Sequence, residues 1–582
     1  MRSSILLVPL LLAQALWLLA PGLLAGLLLA GRDRIPAHLV VPVAGLVGCV
    51  SGYAVLWAFF GAHRLGNVAV AGFAAAALVS AAWIGVRPTL RAALLRLDVA
   101  APLGLMLLLT LGYSAITFSC TAGPGAGSVN AFCHLNGFTG DNILPQIFAD
   151  NIHHGDPRTV TWDWQGSDRP PLQSGVQLLQ APLTESASWR IISYEVLTVL
   201  LQAMWLPALW GLFRALKVST HTFAVVAAGC ACTGLFFFNS VFTWPKLLPA
   251  ALVVLTCGVW FFDRREPRPN QPNHWSWAIG GLAAGAAMVA HSGVVFTLVP
   301  IVVALLLPRH RPAWTSLGVA AVAALVMFAP WQAYQRLYDP PGDRLLKMHL
   351  AGIPNPDERS LGELLRSQYG GTGGTGALAN KTANLTTVLG AQHVQYHLLG
   401  TGRTSVLRDE EFRYLSLCFG VFTLGWLVLI TRRGRQRVRE AADPDRLRLV
   451  FGIAGASLLV WILVMYGPST THLHQGSYAT MLLLFAGGGV LFSVLPKWVV
   501  RVGVTLQAAY WALIWVAAVW KGHQLHWGFV AVSLVASAAF AAALFRLRRG
   551  FWLRRGVRLR RGEVSAAVSA RPAVAPETTS AP

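Results

Sequence analysis

Residues 5–30 read ILLVPLLLAQALWLLAPGLLAGLLLA, an apolar run without a charged side chain. At 1.5 Å per residue, such a run makes a helix that crosses the roughly 30 Å hydrocarbon core of a bilayer. It is longer than the apolar core of a signal peptide, about 7–15 residues, so it reads as a retained helix. Working outward, the same texture recurs at 38–60, 67–85, 99–118, 191–213, 221–239, 246–262, 275–290, 293–307, 314–334, 412–431, 448–466, 476–495, 501–520 and 526–545. That makes about fifteen crossings by span length. The expected fold class is an all-α polytopic membrane protein.

Composition agrees. The chain has 582 residues, 55% hydrophobic and only 12% charged, with a mean hydropathy of +0.55. Soluble domains carry about 25% charged residues, so a soluble globular enzyme is excluded. Disorder is excluded by the apolar content. The net charge of +22 sits in short arginine runs between apolar segments. It reads as topology and contact with anionic membrane lipids rather than nucleic-acid binding.

Those runs fix the expected orientation. GRDR (31–34), the arginines of 86–96, Arg214 with Lys217, DRREPR (263–268), RHR (309–311), the 432–448 run and the 546–561 run all fall on one face if fifteen spans alternate from an outer N-terminus. The positive-inside rule makes that face cytoplasmic. The break at Ala290–Gly293 must then be a hairpin rather than one long tilted helix. Residues 1–98 form N-terminal helices. Residues 99–335 form a membrane core with a long outer segment at 119–190, and 336–411 form a second. Residues 412–545 are C-terminal helices, and 546–582 are a basic, then disordered, cytoplasmic tail. The two long outer segments are expected to carry short amphipathic helices. Connections of that length are usually functional or disordered.

Chemistry concentrates on the outer face. The first segment holds Asp141, Asp150, Asp156, Asp163 and Asp168, in a chain with only 24 acids. Asp141 and Asn142 precede ILPQIFADNI, a pattern for an amphipathic interfacial helix. Asp141 is either its N-cap or a general base, with Asp150 as the alternative base. Arg169 precedes Pro170-Pro171 and either grips a phosphate bidentately or pairs with Asp168. In the turn Phe242-Thr243-Trp244-Pro245-Lys246, an outer lysine breaks the positive-inside bias and suits a phosphate. His291, at the break between two short spans, is an intramembrane ionisable residue. The second segment adds Arg336, Asp339, Arg344 and Lys347, and glycines at 370–376 that read as a flexible lid or acceptor loop. His472 and His474 lie in a last outer turn; they suit a hydrogen bond to sugar or phosphate better than a metal. Of seven cysteines, five lie in or beside apolar runs. Cys120 and Cys133 lie in the first outer segment, where they could form a disulfide or stay free thiols. Two sequons at 380–382 and 384–386 are short enough to be accidental.

An outer Asp followed by Pro170-Pro171-Leu172, the Thr243-Trp244-Pro245-Lys246 turn and the His291-Ser292-Gly293 break resembles the GT-C superfamily of polytopic glycosyltransferases. That superfamily includes protein O-mannosyltransferases, lipid A aminoarabinose transferases and mycobacterial arabinosyltransferases. The resemblance covers residues 100–480. The sequence departs from the common pattern in having three spans before the catalytic pair and Asp141-Asn142 in place of an Asp-Glu pair.

The resemblance implies a polyprenyl-phosphate sugar donor and a cell-envelope glycan, lipid or protein acceptor. It implies inverting transfer on the outer face of a bacterial plasma membrane. Asp141 or Asp150 would be the base. Lys246, Arg169, Arg344, Lys347 and His291 would receive the phosphate, and Asn142, Trp244, Asp339, His472 and His474 would contact substrate. No cofactor is firmly implied, although a divalent cation is compatible. The alternatives are a polyprenyl-diphosphate glycan ligase or polymerase, and a lipid or solute transporter.

Overall fold

The structure is a computed structural model that describes residues 2–122, 131–136, 140–156, 160–161, 164–184, 189–262, 274–390, 407–408, 411, 414–467 and 478–569. Each apolar run is helical over most of its described residues. Length separates them. Among the described residues, nine helices are long and apolar enough to cross a membrane, or ten if one bent pair counts as a single span. Four shorter apolar helices, Leu247–Phe262, Ser292–Leu306, Gly420–Ile430 and Tyr478–Ser493, lack that length. Counting apolar runs alone gives about fifteen because hydropathy does not see where polar breaks and bends shorten a helix.

The helices that frame the site are, in order, α1 (Leu7–Gly31), α2 (Val40–Gly61), α3 (His63–Val86) and α4 (Leu97–Phe118). Next come α5 (Leu144–His153), α6 (Leu172–Leu179), α7 (Arg190–Gln202), α8 (Thr220–Ala231), α9 (Gly234–Val241) and α10 (Leu247–Cys257). They are followed by α11 (His274–Ala290), α12 (Val295–Leu306), α13 (Trp314–Ala333), α14 (Arg344–Ala351) and α15 (Leu361–Leu389). The set closes with α16 (Pro444–Val464), α17 (Tyr478–Ser493), α18 (Lys497–Trp511) and α19 (Trp527–Ser569).

The first long segment is not a surface loop. All eight residues of α6 are buried. The helix crosses α2 so closely that a Cβ at Gly52 would stand 2.7 Å from Val176 Cα, and one at Gly175 would stand 2.8 Å from the Gly52 carbonyl carbon. Paired glycines let the two backbones meet, as small residues do between membrane helices. The apolar face of α5 buries Leu144, Phe148 and Ile152, so this amphipathic helix packs into the protein.

The break at His291 is a true reversal. A Cβ at Gly281 would collide with Ala320, and one at Gly285 with Ala324. Equal four-residue steps in the same sense mean that α11 and α13 run parallel. Residues 291–313 therefore carry the chain back along their length. The returning helix, α12, packs on α16.

α8 and α9 meet at 66°. Thr233 is extended there, and its hydroxyl accepts from Phe236 N, restarting the helix as an N-cap. The Glu411 carboxylate accepts from Gly234 N at 2.9 Å and from Trp515 Nε1 at 2.6 Å.

Two expectations change. Glycines 370–376 are not a loose lid but lie within α15, which kinks at Gly373, where φ is 65°. The C-terminal region is helical through Ser569, because α19 continues past the apolar run into the arginines. Two two-stranded ladders qualify the all-α expectation. Cys120–Thr121 pairs with Gln524–Leu525, and Val160–Thr161 with Trp164–Gln165. Cys120 and Cys133 form a disulfide, with their Cα atoms 5.7 Å apart. Asn384 is fully buried and donates to the Ile462 and Met465 carbonyls, so the second sequon has no accessible amide.

Candidate functional site

The site is assembled around the turn Phe242–Lys246. Thr243 holds a left-handed backbone, φ 58°, a strain on the order of 1–3 kcal/mol for a non-glycine residue. Neighbours hold it there. Gln173 on α6 donates to the Thr243 carbonyl at 2.7 Å, and Thr243 Oγ1 donates to the Asn142 carbonyl at 3.3 Å. Tyr194 also donates to that carbonyl, at 2.8 Å. Gln202 Oε1 accepts from the backbone N–H groups of Lys246, Leu247 and Leu248 at 2.9–3.1 Å, capping α10 from within the bundle. Gln202 Nε2 then donates to Gln173 Oε1 at 3.2 Å.

This scaffold presents charge. Arg169 Nη2 lies 2.8 Å from Asp141 Oδ2, with side chains only 21% and 13% exposed. Arg169 therefore pairs with Asp141 rather than with Asp168. Asp141 sits in a short 3-10 turn, Gly140–Ile143, and the N-cap position of α5 is Ile143, so Asp141 is not a helix cap. The Arg169 guanidinium stacks over Trp164 at 4.2 Å and faces Trp244 at 5.9 Å. Lys246, 4% exposed, points its Nζ over Trp244 at 4.5 Å and towards Tyr478 at 5.6 Å. It meets His291 Nε2 at 2.8 Å. His291 Nδ1 accepts from Gly293 N.

Burial pulls Lys246 well below the usual lysine range, helped by Arg169 and opposed by Asp141. His349 on α14 is pushed down to about 3 by burial, then by Lys246 and Arg169. Arg169 thus bridges Asp141 to a basic neighbourhood in which Lys246 meets His291 and His349 feels both Lys246 and Arg169, with Arg344 beside Asp168. Arg344 stacks on Trp164 at 4.5 Å and lies 3.9 Å from Asp168. Burial raises the Asp168 carboxyl.

The two long segments are joined beside this cluster. Asp339 Oδ2 accepts from Ser167 N at 2.8 Å, and Gln335 Nε2 donates to the Ser167 and Gly342 carbonyls. Asp339 therefore fastens the seam rather than facing the cluster. Lys347 is also drawn aside. It pairs with Asp343 at 2.8 Å and donates to the Asp357 carbonyl at 2.7 Å, within its own segment.

Asp150 faces elsewhere. It pairs with Arg190 on the wall of a separate polar cavity of about 320 Å³ that also exposes Gln146, His153, His154 and Gln177. Burial raises the Asp150 carboxyl, while Arg190 opposes the rise. His472 and His474 lie outside the described residues. Among the described residues, no group of three His, Cys, Asp or Glu side chains stands close enough to hold a metal ion.

Sequence reasoning missed Gln173, Gln202, Tyr194, Trp164, His349 and Tyr478. Gln202 carried a signal, being a polar residue inside the apolar 191–213 run. The aromatic residues carried none, because membrane interfaces are rich in Trp and Tyr regardless.

Fold and cluster define a polytopic helical membrane protein in which a carboxylate, two arginines, a lysine and two histidines gather at one end of the bundle. No protein-family model matches the chain, and no curated protein matches it. Among solved structures, it is similar to the crystal structure of ArnT from Cupriavidus metallidurans bound to undecaprenyl phosphate. The identity is 12%, 77% of each chain is covered, and the TM-score is 0.41.

Proposed function

We propose that the chain is a GT-C-type glycosyltransferase that moves a sugar from a polyprenyl-phosphate donor to a cell-envelope acceptor on the extracytoplasmic face. The observation that carries this reading is the Asp141–Arg169 pair at 2.8 Å, set beside Lys246 and His291. It puts one carboxylate against a guanidinium, with a lysine that can become charged close by, in a mostly apolar bundle.

Inverting transfer needs that arrangement. The acceptor hydroxyl attacks the anomeric carbon, and Asp141 accepts its proton. The bond from the anomeric carbon to the phosphate oxygen breaks, and the electron pair leaves with the polyprenyl phosphate. Arg169 and Lys246 meet the charge that grows on that oxygen, in a site with little water to screen it. A buried lysine takes up a proton when a phosphate arrives beside it, so donor binding itself charges Lys246. Trp164 and Trp244 hold Arg169, Arg344 and Lys246 in place through their ring faces. The polyprenyl tail lies between apolar helices. Asp141, rather than Asp150, is the base, because Asp150 faces a different cavity.

The experiment is transfer from a panel of radiolabelled polyprenyl-phosphate sugars by purified protein in membrane extracts, with Asp141→Asn as the control. Transfer from one donor that disappears in the variant is the expected result. Transfer from diphosphate-linked donors alone, or full activity in Asp141→Asn, would overturn the reading.

A further inference from the structure

A second cavity lies away from the candidate site. It is a groove of about 440 Å³ between α4, α8, α18 and α19, on the scale of ligand-binding pockets, about 300–1,000 Å³. Its walls are apolar along most of their length. One end is closed by Tyr113 and Trp511. The other end is ringed by His221, Lys497, Arg501 and Arg548. Three of these come from three different helices, and Arg501 stands one turn beyond Lys497 on the same helix. Among the described residues, no carboxylate lines the groove. An apolar slot with a cationic mouth is the complement of a lipid with an anionic head.

α17 shows which end of the bundle this mouth occupies. The helix starts at Tyr478, whose ring faces Lys246. It ends at Ser493, whose hydroxyl meets Thr222 at 3.5 Å, beside His221 and Lys497. The helix is sixteen residues long, so its two ends lie roughly 22 Å apart at 1.5 Å per residue. The cationic mouth is therefore at the opposite end of the bundle from Asp141, Arg169 and Lys246. A donor headgroup held there would be a helix length from the base.

We infer that this groove is a binding site for an anionic glycerophospholipid of the leaflet at that end. An acyl chain fills the slot, and the head phosphate sits among His221, Lys497, Arg501 and Arg548. The inference does not depend on the proposed reaction, because the groove shares no residue with the catalytic cluster.

Native mass spectrometry of the detergent-purified full chain tests it, with phosphatidylglycerol and phosphatidylcholine of identical acyl chains as probes. The expected result is at least tenfold stronger retention of phosphatidylglycerol. That preference is lost in Lys497→Gln/Arg501→Gln. In Ala508→Trp, which fills the slot and leaves every charge in place, retention of both lipids falls. Equal retention of the two lipids by the wild type would overturn the proposal. So would unchanged phosphatidylglycerol retention in Ala508→Trp, which decides the matter if the double charge variant does not fold. Displacement of bound phosphatidylglycerol by equimolar polyprenyl phosphate would overturn it too, by assigning the groove to the donor.

Discussion

Lys246 Nζ stands 2.8 Å from His291 Nε2, while Nδ1 on the far side of the same ring accepts from Gly293 N. A ring whose Nδ1 accepts carries its proton on Nε2 when neutral. Nε2–H and an ammonium would then be two donors face to face, so the free protein favours an uncharged Lys246 accepting from His291. An arriving phosphate reverses that preference. Lys246→Met keeps the buried stem and removes the cation. It is expected to lower kcat/KM about 100-fold, equivalent to roughly 2.7 kcal/mol, while thermal stability stays equal or rises. Measuring both in one preparation checks the assignment, and an unchanged kcat/KM would remove Lys246 from the phosphate site.

Asp141→Asn keeps the shape and the contact with Arg169 but cannot accept a proton. A general base contributes about 10²–10⁴-fold, so kcat is expected to fall by that range with little change in KM. Asp150→Asn alters a different cavity and should retain most of the turnover. Steady-state transfer assays on the two variants, with melting curves alongside, separate the roles.

Gln202 satisfies three backbone N–H groups at the start of α10. Gln202→Leu leaves them buried without that acceptor, at about 1–3 kcal/mol for an unsatisfied group. The turn carrying Lys246 should loosen. A lowered melting temperature together with a raised donor KM is the expected pair of results. A loss of stability with donor KM unchanged would make Gln202 purely structural.

His349 gives a pH dependence whose sign is fixed. In the unfolded chain the imidazole titrates near 6.5, and in the folded protein burial and the nearby cations hold it down to about 3. Below pH 6.5 the unfolded chain takes up a proton that the folded chain refuses. Stability is therefore full above 6.5 and falls as pH drops from about 6.5 towards 3, with a loss on the order of 1–2 kcal/mol by pH 5. Melting curves at pH 7.5 and pH 5 should show a smaller acid loss in His349→Gln than in the wild type.

The sequence made the membrane bundle legible, because apolar runs and arginine clusters are one-dimensional signals. It made the turn Thr243–Lys246, the break at His291 and the pair of candidate acids legible, because polar residues stand out against apolar neighbours. The reversal at His291 followed from charge parity alone, and the parallel course of α11 and α13 agrees with it. Partner choice was not legible. Arg169 has Asp168 beside it in sequence and Asp141 in space, and only folding of 140–169 decides between them. Lys347 looked like an equal of Arg344, yet one turn of helix directs it to Asp343 and Asp357 instead. The glycine run at 370–376 looked like a lid because composition reports permissiveness, whereas α15 uses those residues as helix with one kink.

The seam between Ser167 and Asp339 also sets a biosynthetic order. The two sides of that seam lie 172 residues apart in sequence. A ribosome delivers Asp141 and Arg169 long before the Asp339 that fastens the strap beside them, and later still the Tyr478 that faces Lys246. During membrane insertion the half-built cluster holds Asp141 and Arg169 without their later neighbours, so it is completed late in translation rather than domain by domain. A chain interrupted after α13 would keep Asp141, Arg169, Lys246 and His291 yet lack Asp339, Arg344 and Tyr478, the neighbours that the rest of the chain supplies.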